Sequence, residues 1–161
     1  ELGLRLGADV PVFIFGENAF AEGVGEELQA YPLADAWYVV LFPPVHVPTA
    51  EIFAHPELTR DTVSITMRAL AKRQFEQQLR NDLQSVVCGL YPEVGRYITW
   101  LGNFGKAMMT GPRMTGSGAC VFAEFASRSR AEAVLRQLPH GMRGVVAQGL
   151  ARHPLHDWVP E

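Results

Sequence analysis

Runs of apolar residues along the chain predict strands and helices in mixed order. Residues 37–42 (Trp-Tyr-Val-Val-Leu-Phe) form a continuous aromatic and β-branched run that ends at a pair of prolines, which is typical of a strand covered on both faces. Residues 119–125 predict a second strand, and residues 145–147 predict a shorter closing strand. Before the first run, the two glycines around Val24 predict a hairpin or bulge between short strands.

The stretch of residues 62–103 has helical spacing. Apolar residues recur three or four positions apart, which predicts one face of a helix. This stripe consists of Met67, Leu70, Ala71, Phe75 and Leu79. Asn81 and Asp82 are good N-cap residues and predict the start of a second helix. Pro92 predicts the start of a third helix, which ends at Gly102.

Other helix signals complete the pattern. Residues 1–6 look like the end of a helix whose start is missing, and we expect the chain to be a fragment. Thr49 predicts the cap of another helix, with Glu51 in its first turn. Ser129 and Glu132 have the spacing of a capping box. The order strand, helices, strand, helix, strand predicts an α+β fold.

Charge and composition disfavour several classes of partner. The net charge is -3 and only two of the 14 basic residues are lysine, which disfavours nucleic acid as a partner. No apolar run approaches the ~20 residues that span a bilayer, so we expect a cytoplasmic protein. Two cysteines, Cys88 and Cys120, suggest a reducing compartment, and we interpret both as small buried residues. The five histidines are scattered, and their spacing predicts no metal site.

Asp9 is the first candidate for chemistry. It lies between a small-residue turn, Gly7 and Ala8, and Pro11. Pro11 fits the first turn of a short helix whose N-cap region contains Asp9. An aspartate in such a position is more often a helix cap than a catalytic group, so both interpretations stay open from these residues alone.

A glycine-rich loop precedes the strand at residues 119–125. It consists of Thr115, Gly116, Ser117 and Gly118. Glycine lets the backbone approach a ligand closely, so several N–H groups of the loop could face an anion. However, the loop runs into a strand and lacks the lysine of a P-loop, so a structural hairpin turn is the favoured interpretation. Phe53 could stack on a flat ring, although an aromatic residue on a helix is more often part of the core.

Four segments of the chain, in this order and at roughly these intervals, resemble one known family. They are residues 6–13 (LGADVPVF), 21–26 (AEGVGE), 81–83 (NDL) and 114–122 (MTGSGACVF). Together they resemble the GHMP kinase superfamily, and within it the branch that phosphorylates 4-diphosphocytidyl-2-C-methyl-D-erythritol. The resemblance runs over essentially the whole chain and would make it the C-terminal part of a longer enzyme.

The resemblance implies two domains. Residues 1–36 would end an N-terminal α/β domain that binds ATP and substrate, and residues 37–161 would form a C-terminal α+β domain with a ferredoxin-like sheet and helices on one face. Such an enzyme transfers the γ-phosphoryl group of ATP, with Mg²⁺ bound through the nucleotide, to the 2-hydroxyl of the methylerythritol unit. This reaction belongs to non-mevalonate isoprenoid (isopentenyl diphosphate) synthesis.

The resemblance also assigns roles to individual residues. Asp9 falls on the catalytic aspartate that takes the proton from the acceptor hydroxyl. Thr49 and Phe53 fall where the family lines its cytidine pocket, with Phe53 stacked on cytosine, and Val24 falls where backbone groups meet the pyrimidine. The glycine loop matches the third family motif, which closes on the phosphate region.

Some family features are missing. The main phosphate loop, of the type Pro-x-x-x-Gly-Leu-Gly-Ser-Ser, has no counterpart, and neither Lys72 nor Lys106 matches the motif of the catalytic lysine. Gln84 stands where the family commonly has glutamate. We therefore expect the chain alone to be inactive. The alternatives are another GHMP small-molecule kinase and a non-enzymatic ferredoxin-like regulatory or ligand-binding module, although the latter leaves the turn of Asp9 unexplained.

Overall fold

The computed structural model describes residues 2–63 and 80–156. Contacts group the chain into two compact units. The first contains the chain up to Asp35 together with the described residues from Gly149 onward, and the second is Ala36–Gln148. The sequence places everything after residue 36 in one domain, whereas the contacts group the segment from Gly149 with the first unit. The assignment of two domains itself stays a prediction, because contacts describe packing and not independent folding.

The first unit begins with two short helices, α1 (Leu2–Leu6) and α2 (Val10–Phe15). A hairpin follows, in which β1 (Ala19–Glu22) and β2 (Glu27–Ala30) pair antiparallel. The glycines on either side of Val24 lie in its turn with φ of 69° and 109°, a region that residues with a Cβ rarely adopt. The hairpin predicted at this position is therefore confirmed.

The second unit mixes helices and strands. Its elements in chain order are β3 (Trp37–Leu41), α3 (Thr49–Ala54), α4 (Leu83–Leu90), α5 (Pro92–Gly102), a short 3-10 helix (Gly105–Ala107), β4 (Thr110–Met114), β5 (Val121–Phe125), α6 (Arg128–Leu135) and β6 (Gly144–Gln148). The three predicted strands correspond to β3, β5 and β6, and the helix predicted to start at Pro92 is α5. The predicted stripe from Met67 to Leu79 lies outside the described residues.

The strands of the second unit form one antiparallel sheet in the order β4, β5, β3, β6. Val39 in the inner strand β3 lies opposite Ala123 of β5 and Val146 of β6. The edge strand β4 was not predicted, because Gly111 and Pro112 interrupt its pattern. Proline cannot donate to a sheet, so it is found at edges and bulges, and the pairing of β4 is irregular at this point.

The core lies on one face of this sheet. Its fully buried side chains include Val39, Leu41, Val121, Ala123 and Phe125 from the strands and Val87, Val94 and Leu101 from the helices. On the other face, Tyr38 and Val40 are only half-buried. The prediction that β3 is covered on both faces is therefore wrong for the part of the unit that the structure describes. The ferredoxin-like expectation of helices on one face agrees with this arrangement.

Helix α6 is capped by a different serine from the predicted one. Ser127 occupies the N-cap position, and its hydroxyl accepts a hydrogen bond from the N–H of Arg130 at 3.4 Å. The hydroxyl of Ser129 lies 3.1 Å from that of Ser127, and Glu132 pairs with Arg128. The capping box predicted at Ser129 is wrong because the helix begins two residues earlier, where Ser127 has the extended backbone of a cap.

The two cysteines also differ from their prediction. Cys88 and Cys120 are free and half-buried, not enclosed in the core. Cys88 lies on α4 next to the core, and Cys120 immediately precedes β5. Neither cysteine forms a disulfide with the other.

Candidate functional site

The glycine loop connects β4 to β5 as a hairpin turn, which confirms the favoured interpretation of its sequence. The N–H of Thr115 donates to the carbonyl of Cys120 at 3.0 Å, and the N–H of Gly118 donates to the carbonyl of Thr115 at 3.1 Å. Among the described residues, nothing accepts a hydrogen bond from the N–H groups of Gly116 and Ser117. Two successive backbone donors of this kind can bind an anion.

The two glycines of the loop are required for different reasons. Both have positive φ, 54° at Gly116 and 101° at Gly118. A Cβ at Gly118 would lie 3.0 Å from the sulfur of Met114 and 3.4 Å from a methyl group of Val47, whereas a Cβ at Gly116 would meet nothing within 4 Å. Gly118 is therefore needed for conformation and for packing, and Gly116 for conformation alone.

Thr49 and Ser117 join α3 to the glycine loop. Their hydroxyl oxygens lie 2.7 Å apart. The sequence predicts Thr49 as the N-cap of this helix, but Pro48 occupies that position and Thr49 is the first helical residue. The predicted cap is wrong, and the Thr49 hydroxyl bonds to Ser117 instead. Glu51 lies in the first turn as predicted.

Phe53 lies on the surface. Its side chain is 56% exposed, whereas the neighbouring Ile52 is fully buried. The core interpretation of Phe53 is therefore wrong, and its ring is accessible to a ligand. Residues four positions apart share one face of a helix, so Phe53 lies on the same face of α3 as Thr49, the residue that contacts the glycine loop.

The start of α4 also contacts the segment that leads into the glycine loop. Asn81 accepts a hydrogen bond from the N–H of Leu83 at 3.0 Å, whereas Asp82, in the N-cap position, makes no side-chain capping bond. The side-chain oxygen of Gln84 accepts a hydrogen bond from the N–H of Met114 at 2.9 Å. The sequence gives no signal for this contact of Gln84, because the two residues lie in separate segments.

Asp9 lies in an exposed turn of the first unit. It occupies the N-cap position of α2 with Pro11 in the first turn, as predicted, but its side chain makes no capping hydrogen bond. The N–H of Val10 donates instead to the carbonyl of Gly7 at 3.1 Å. Capping therefore does not account for this carboxylate, which is accessible to a ligand.

Val24 lies at the tip of the hairpin and is 67% exposed. Its N–H donates to the carboxylate of Glu26 at 2.7 Å. The adjacent Gly25 lies against the carbonyl of Ala8, since a Cβ there would be 3.1 Å from that oxygen. The hairpin tip and the turn of Asp9 are thus neighbours within the first unit. The sequence pattern predicts no role for Glu26, whose carboxylate accepts this hydrogen bond from Val24.

Two ionisable groups among the described residues have shifted pKa values. Burial raises the pKa of the Cys88 thiol. Burial, followed by the carboxylate of Glu124, raises the pKa of Tyr38, and the Arg113 guanidinium opposes this shift. Both groups are therefore held in their neutral forms.

Neither a metal cluster nor a membrane span is found in the described ranges. Within residues 2–63 and 80–156, no three histidine, cysteine, aspartate or glutamate side chains come together as metal ligands. No helix in the same ranges is long and apolar enough to cross a membrane.

Comparison with known proteins shows the class of protein. Residues 66–144 match the family described as GHMP kinases C terminal. This part of the chain is therefore similar to the C-terminal domain of the GHMP kinases. The α+β fold class is confirmed by this match together with the observed sheet and helices.

The relatives of the chain specify the resemblance further. A 4-diphosphocytidyl-2-C-methyl-D-erythritol kinase from Thiobacillus denitrificans is 59% identical over 160 residues, which are 99% of this chain and 54% of that protein. The enzyme of the same name from Nitrosospira multiformis is 53% identical over 161 residues, 100% of this chain and 53% of its own length. The resemblance to this branch of the superfamily is confirmed.

A solved structure agrees with these relatives. The crystal structure of a 4-(cytidine 5'-diphospho)-2C-methyl-D-erythritol kinase superposes with a TM-score of 0.71 at 30% identity, over 90% of this chain and 54% of that one. The chain thus spans about half the length of the proteins that it matches.

Proposed function

We propose that the chain forms the C-terminal half of an ATP-dependent kinase that phosphorylates the 2-hydroxyl of 4-diphosphocytidyl-2-C-methyl-D-erythritol. This cytoplasmic reaction would serve non-mevalonate isoprenoid synthesis. The observation that carries the proposal is the 59% identity to a kinase of that name across 99% of the chain. In this assignment residues 1–36 end the N-terminal domain and the C-terminal domain begins near Trp37.

Asp9 is proposed as the general base. Its carboxylate accepts the proton of the substrate 2-hydroxyl while that oxygen attacks the γ-phosphorus of ATP, and ADP leaves with the electron pair of the broken P–O bond. Phosphoryl transfer depends mainly on positioning and charge stabilisation, with one group to orient and deprotonate the nucleophile. The exposed carboxylate without a capping bond supports this role.

The cytidine end of the substrate is assigned to α3 and to the hairpin tip. Phe53 would stack on the cytosine ring, and its 56% exposure supports this role. Thr49, on the same helical face, would line the same pocket. Val24 would meet the pyrimidine through its backbone. The N–H of Val24 already donates to the carboxylate of Glu26. The backbone carbonyl of Val24 is therefore the group that would contact the pyrimidine.

The phosphate groups are assigned to the glycine loop, residues Thr115 to Gly118. The N–H groups of Gly116 and Ser117 are oriented by the turn and have no acceptor among the described residues, which suits an anion. The described residues offer no cluster of metal ligands. As the family resemblance implies, the Mg²⁺ ion that ATP chemistry requires would be held through the nucleotide phosphates, whose charge it neutralises.

The chain alone is proposed to be inactive. No segment of it matches the main phosphate loop of the family or its catalytic lysine. The purified chain should give no turnover with ATP and the cytidine substrate. Steady-state phosphorylation by these 161 residues would contradict the proposal that the chain contains only part of the active site.

The test of the function replaces Asp9 by Asn in the full-length kinase that contains this sequence. The change keeps the shape and removes the proton acceptor. General-base assistance is worth roughly 10² to 10⁴-fold, so kcat should fall by about that factor. The melting temperature should stay nearly constant, because the side chain makes no capping bond and Asn is as good a cap as Asp.

The control is Asp35→Asn, the same chemical change at another exposed carboxylate of the first unit. It should leave kcat unchanged. Normal kcat in the Asp9 variant would reject the catalytic assignment, and absence of cytidine-substrate phosphorylation by the unsubstituted enzyme would reject the function as a whole.

A further inference from the structure

The side chain of Asn81 uses both ends of its amide. Its oxygen accepts the N–H of Leu83 at 3.0 Å. Its nitrogen donates to two carbonyls, that of Met114 at 3.1 Å and that of Gly116 at 2.7 Å. An N–H must face an acceptor and a carbonyl must face a donor, so these three partners fix the orientation of the amide. Asn81 therefore joins the start of α4 to the glycine loop.

A second contact supports the first. The side-chain oxygen of Gln84, one residue after Leu83 on α4, accepts a hydrogen bond from the N–H of Met114 at 2.9 Å. Asn81 and Gln84 together occupy the carbonyl and the N–H of Met114, the last residue of β4. The loop is thus held at the end of its strand, and Asn81 holds it again at Gly116.

These contacts constrain a segment that is flexible by composition. Glycine has more backbone freedom than any other residue, and a loop with two glycines in four residues would lose much of that freedom on binding a ligand. A loop fixed before the ligand arrives binds it more tightly, because the ordering cost has already been met. Preorganised backbone donors are also the ones that stabilise charge best.

We propose that Asn81 is a positioning residue for nucleotide phosphates. It holds the carbonyl of Gly116 so that the N–H groups of Gly116 and Ser117 stay in the geometry that receives an anion. This proposal rests on the proposed function for the identity of the anion. The simpler interpretation is that Asn81 only caps α4 through its bond to Leu83.

Asn81→Asp separates the two interpretations. Asp keeps an oxygen for the N–H of Leu83 and caps helices as well as Asn, but it loses both donors and places a carboxylate oxygen against two carbonyls. If Asn81 only caps α4, the substitution should leave the glycine loop unchanged. If Asn81 positions the loop, the substitution should loosen it. Asn103→Asp is the control, because it makes the same charge change at an exposed asparagine of the same unit.

Hydrogen exchange in the full-length protein gives a readout that does not need activity. The reporters are the N–H groups of Thr115 and Gly118, which close the loop. In Asn81→Asp they should exchange about 10-fold faster or more, the scale expected when hydrogen bonds to a half-buried amide are lost. Exchange within α4 should not change. Unchanged loop exchange, or an equal rise throughout α4, would overturn the proposal.

Steady-state kinetics give the second readout. The KM for ATP should rise about 10-fold or more in Asn81→Asp, with a much smaller change in the KM for the cytidine substrate. Gln84→Glu keeps the acceptor for the N–H of Met114 and should retain most of the affinity for ATP, whereas Gln84→Met should lose part of it. An Asn81→Asp enzyme with normal KM for ATP would reject the positioning role.

The two readouts distinguish this proposal from the proposed function. If the full-length protein has no kinase activity but the loop loosens in Asn81→Asp, the function fails and the structural role of Asn81 stands. If the enzyme is active and the loop does not loosen, the positioning role fails and the function stands.

Discussion

The hydroxyl oxygens of Thr49 and Ser117 lie 2.7 Å apart and join helix α3 to the glycine loop across 68 residues of sequence. One partner lies on the helical face that also contains Phe53, and the other lies between the two glycines of the loop. A ligand that fixes either hydroxyl also acts on the other. This bond directly links the proposed cytidine side of the second unit to its proposed phosphate side.

The link predicts coupling between two substitutions. Thr49→Val and Ser117→Ala each remove the same hydrogen bond, whose net contribution is about 0.5 to 1.5 kcal/mol. The test is a double-mutant cycle on the KM values of the proposed full-length kinase. The loss of binding free energy in the double variant should be smaller than the sum of the two single losses by about that amount. The pair Thr49→Val and Ser127→Ala, whose residues are not bonded, should be additive. Additivity in the first pair would show that the contact is energetically silent.

Phe53→Ala should weaken binding of the cytidine substrate. Stacking on a base is worth ~1 to 3 kcal/mol in nucleic-acid binders, which corresponds to about 5 to 150-fold in affinity. The side chain is 56% exposed, so the melting temperature should change little. Phe53→Tyr retains the ring and serves as the control. An unchanged KM for the cytidine substrate in the alanine variant would reject stacking.

The two loop glycines should differ in their tolerance of alanine. Gly116→Ala meets no atom within 4 Å and should cost only the strain of a positive φ, about 1 to 2 kcal/mol. In Gly118→Ala the new methyl group is also crowded against Met114 and Val47. The loss of folding free energy should therefore exceed that of Gly116→Ala by about 1 kcal/mol or more. Thermal unfolding of both variants provides the measurement, and equal destabilisation would show that the neighbouring side chains move aside freely.

The structure and the sequence pattern of α6 predict opposite results for two serine substitutions. The structure predicts that Ser127→Ala costs more stability than Ser129→Ala, whereas the predicted capping box would make Ser129 the more important residue. Ser127→Ala should destabilise the protein by about 1 kcal/mol, because it removes the acceptor for the N–H of Arg130. Ser129→Ala should stay within about 0.5 kcal/mol of the unsubstituted protein, as surface changes usually do. Denaturant unfolding of the two variants compares them directly. A larger effect at Ser129 would restore the predicted capping box.

Local sequence was sufficient where one residue type decides the conformation. The glycines on either side of Val24 predicted a hairpin turn, Pro92 predicted a helix start, and the apolar run at residues 37–42 predicted a strand. Each depends on backbone freedom or on side-chain shape within a few residues, so no distant partner was needed.

Prediction was incomplete where two distant segments meet. Strand β4 contains Gly111 and Pro112, which oppose a strand locally, and only pairing with β5 makes it one. Thr49 has the local character of a cap, but its hydroxyl bonds to Ser117. The contacts of Asn81 and Gln84 with the glycine loop likewise join residues 30 or more positions apart. Patterns within one segment contain no information about such partners.

The strand order also has a consequence for the route of folding. β3 is one of the two inner strands, yet its partners β5 and β6 follow it by roughly 80 and 100 residues, and pairing over such separations is slow. The β4–β5 hairpin closes locally through the glycine loop and can form first. Pulse-labelled hydrogen exchange should therefore show protection in β4 and β5 before β3. Until β6 arrives, the apolar edge of β3 is open to pairing with other chains, and this interval is when aggregation competes with folding.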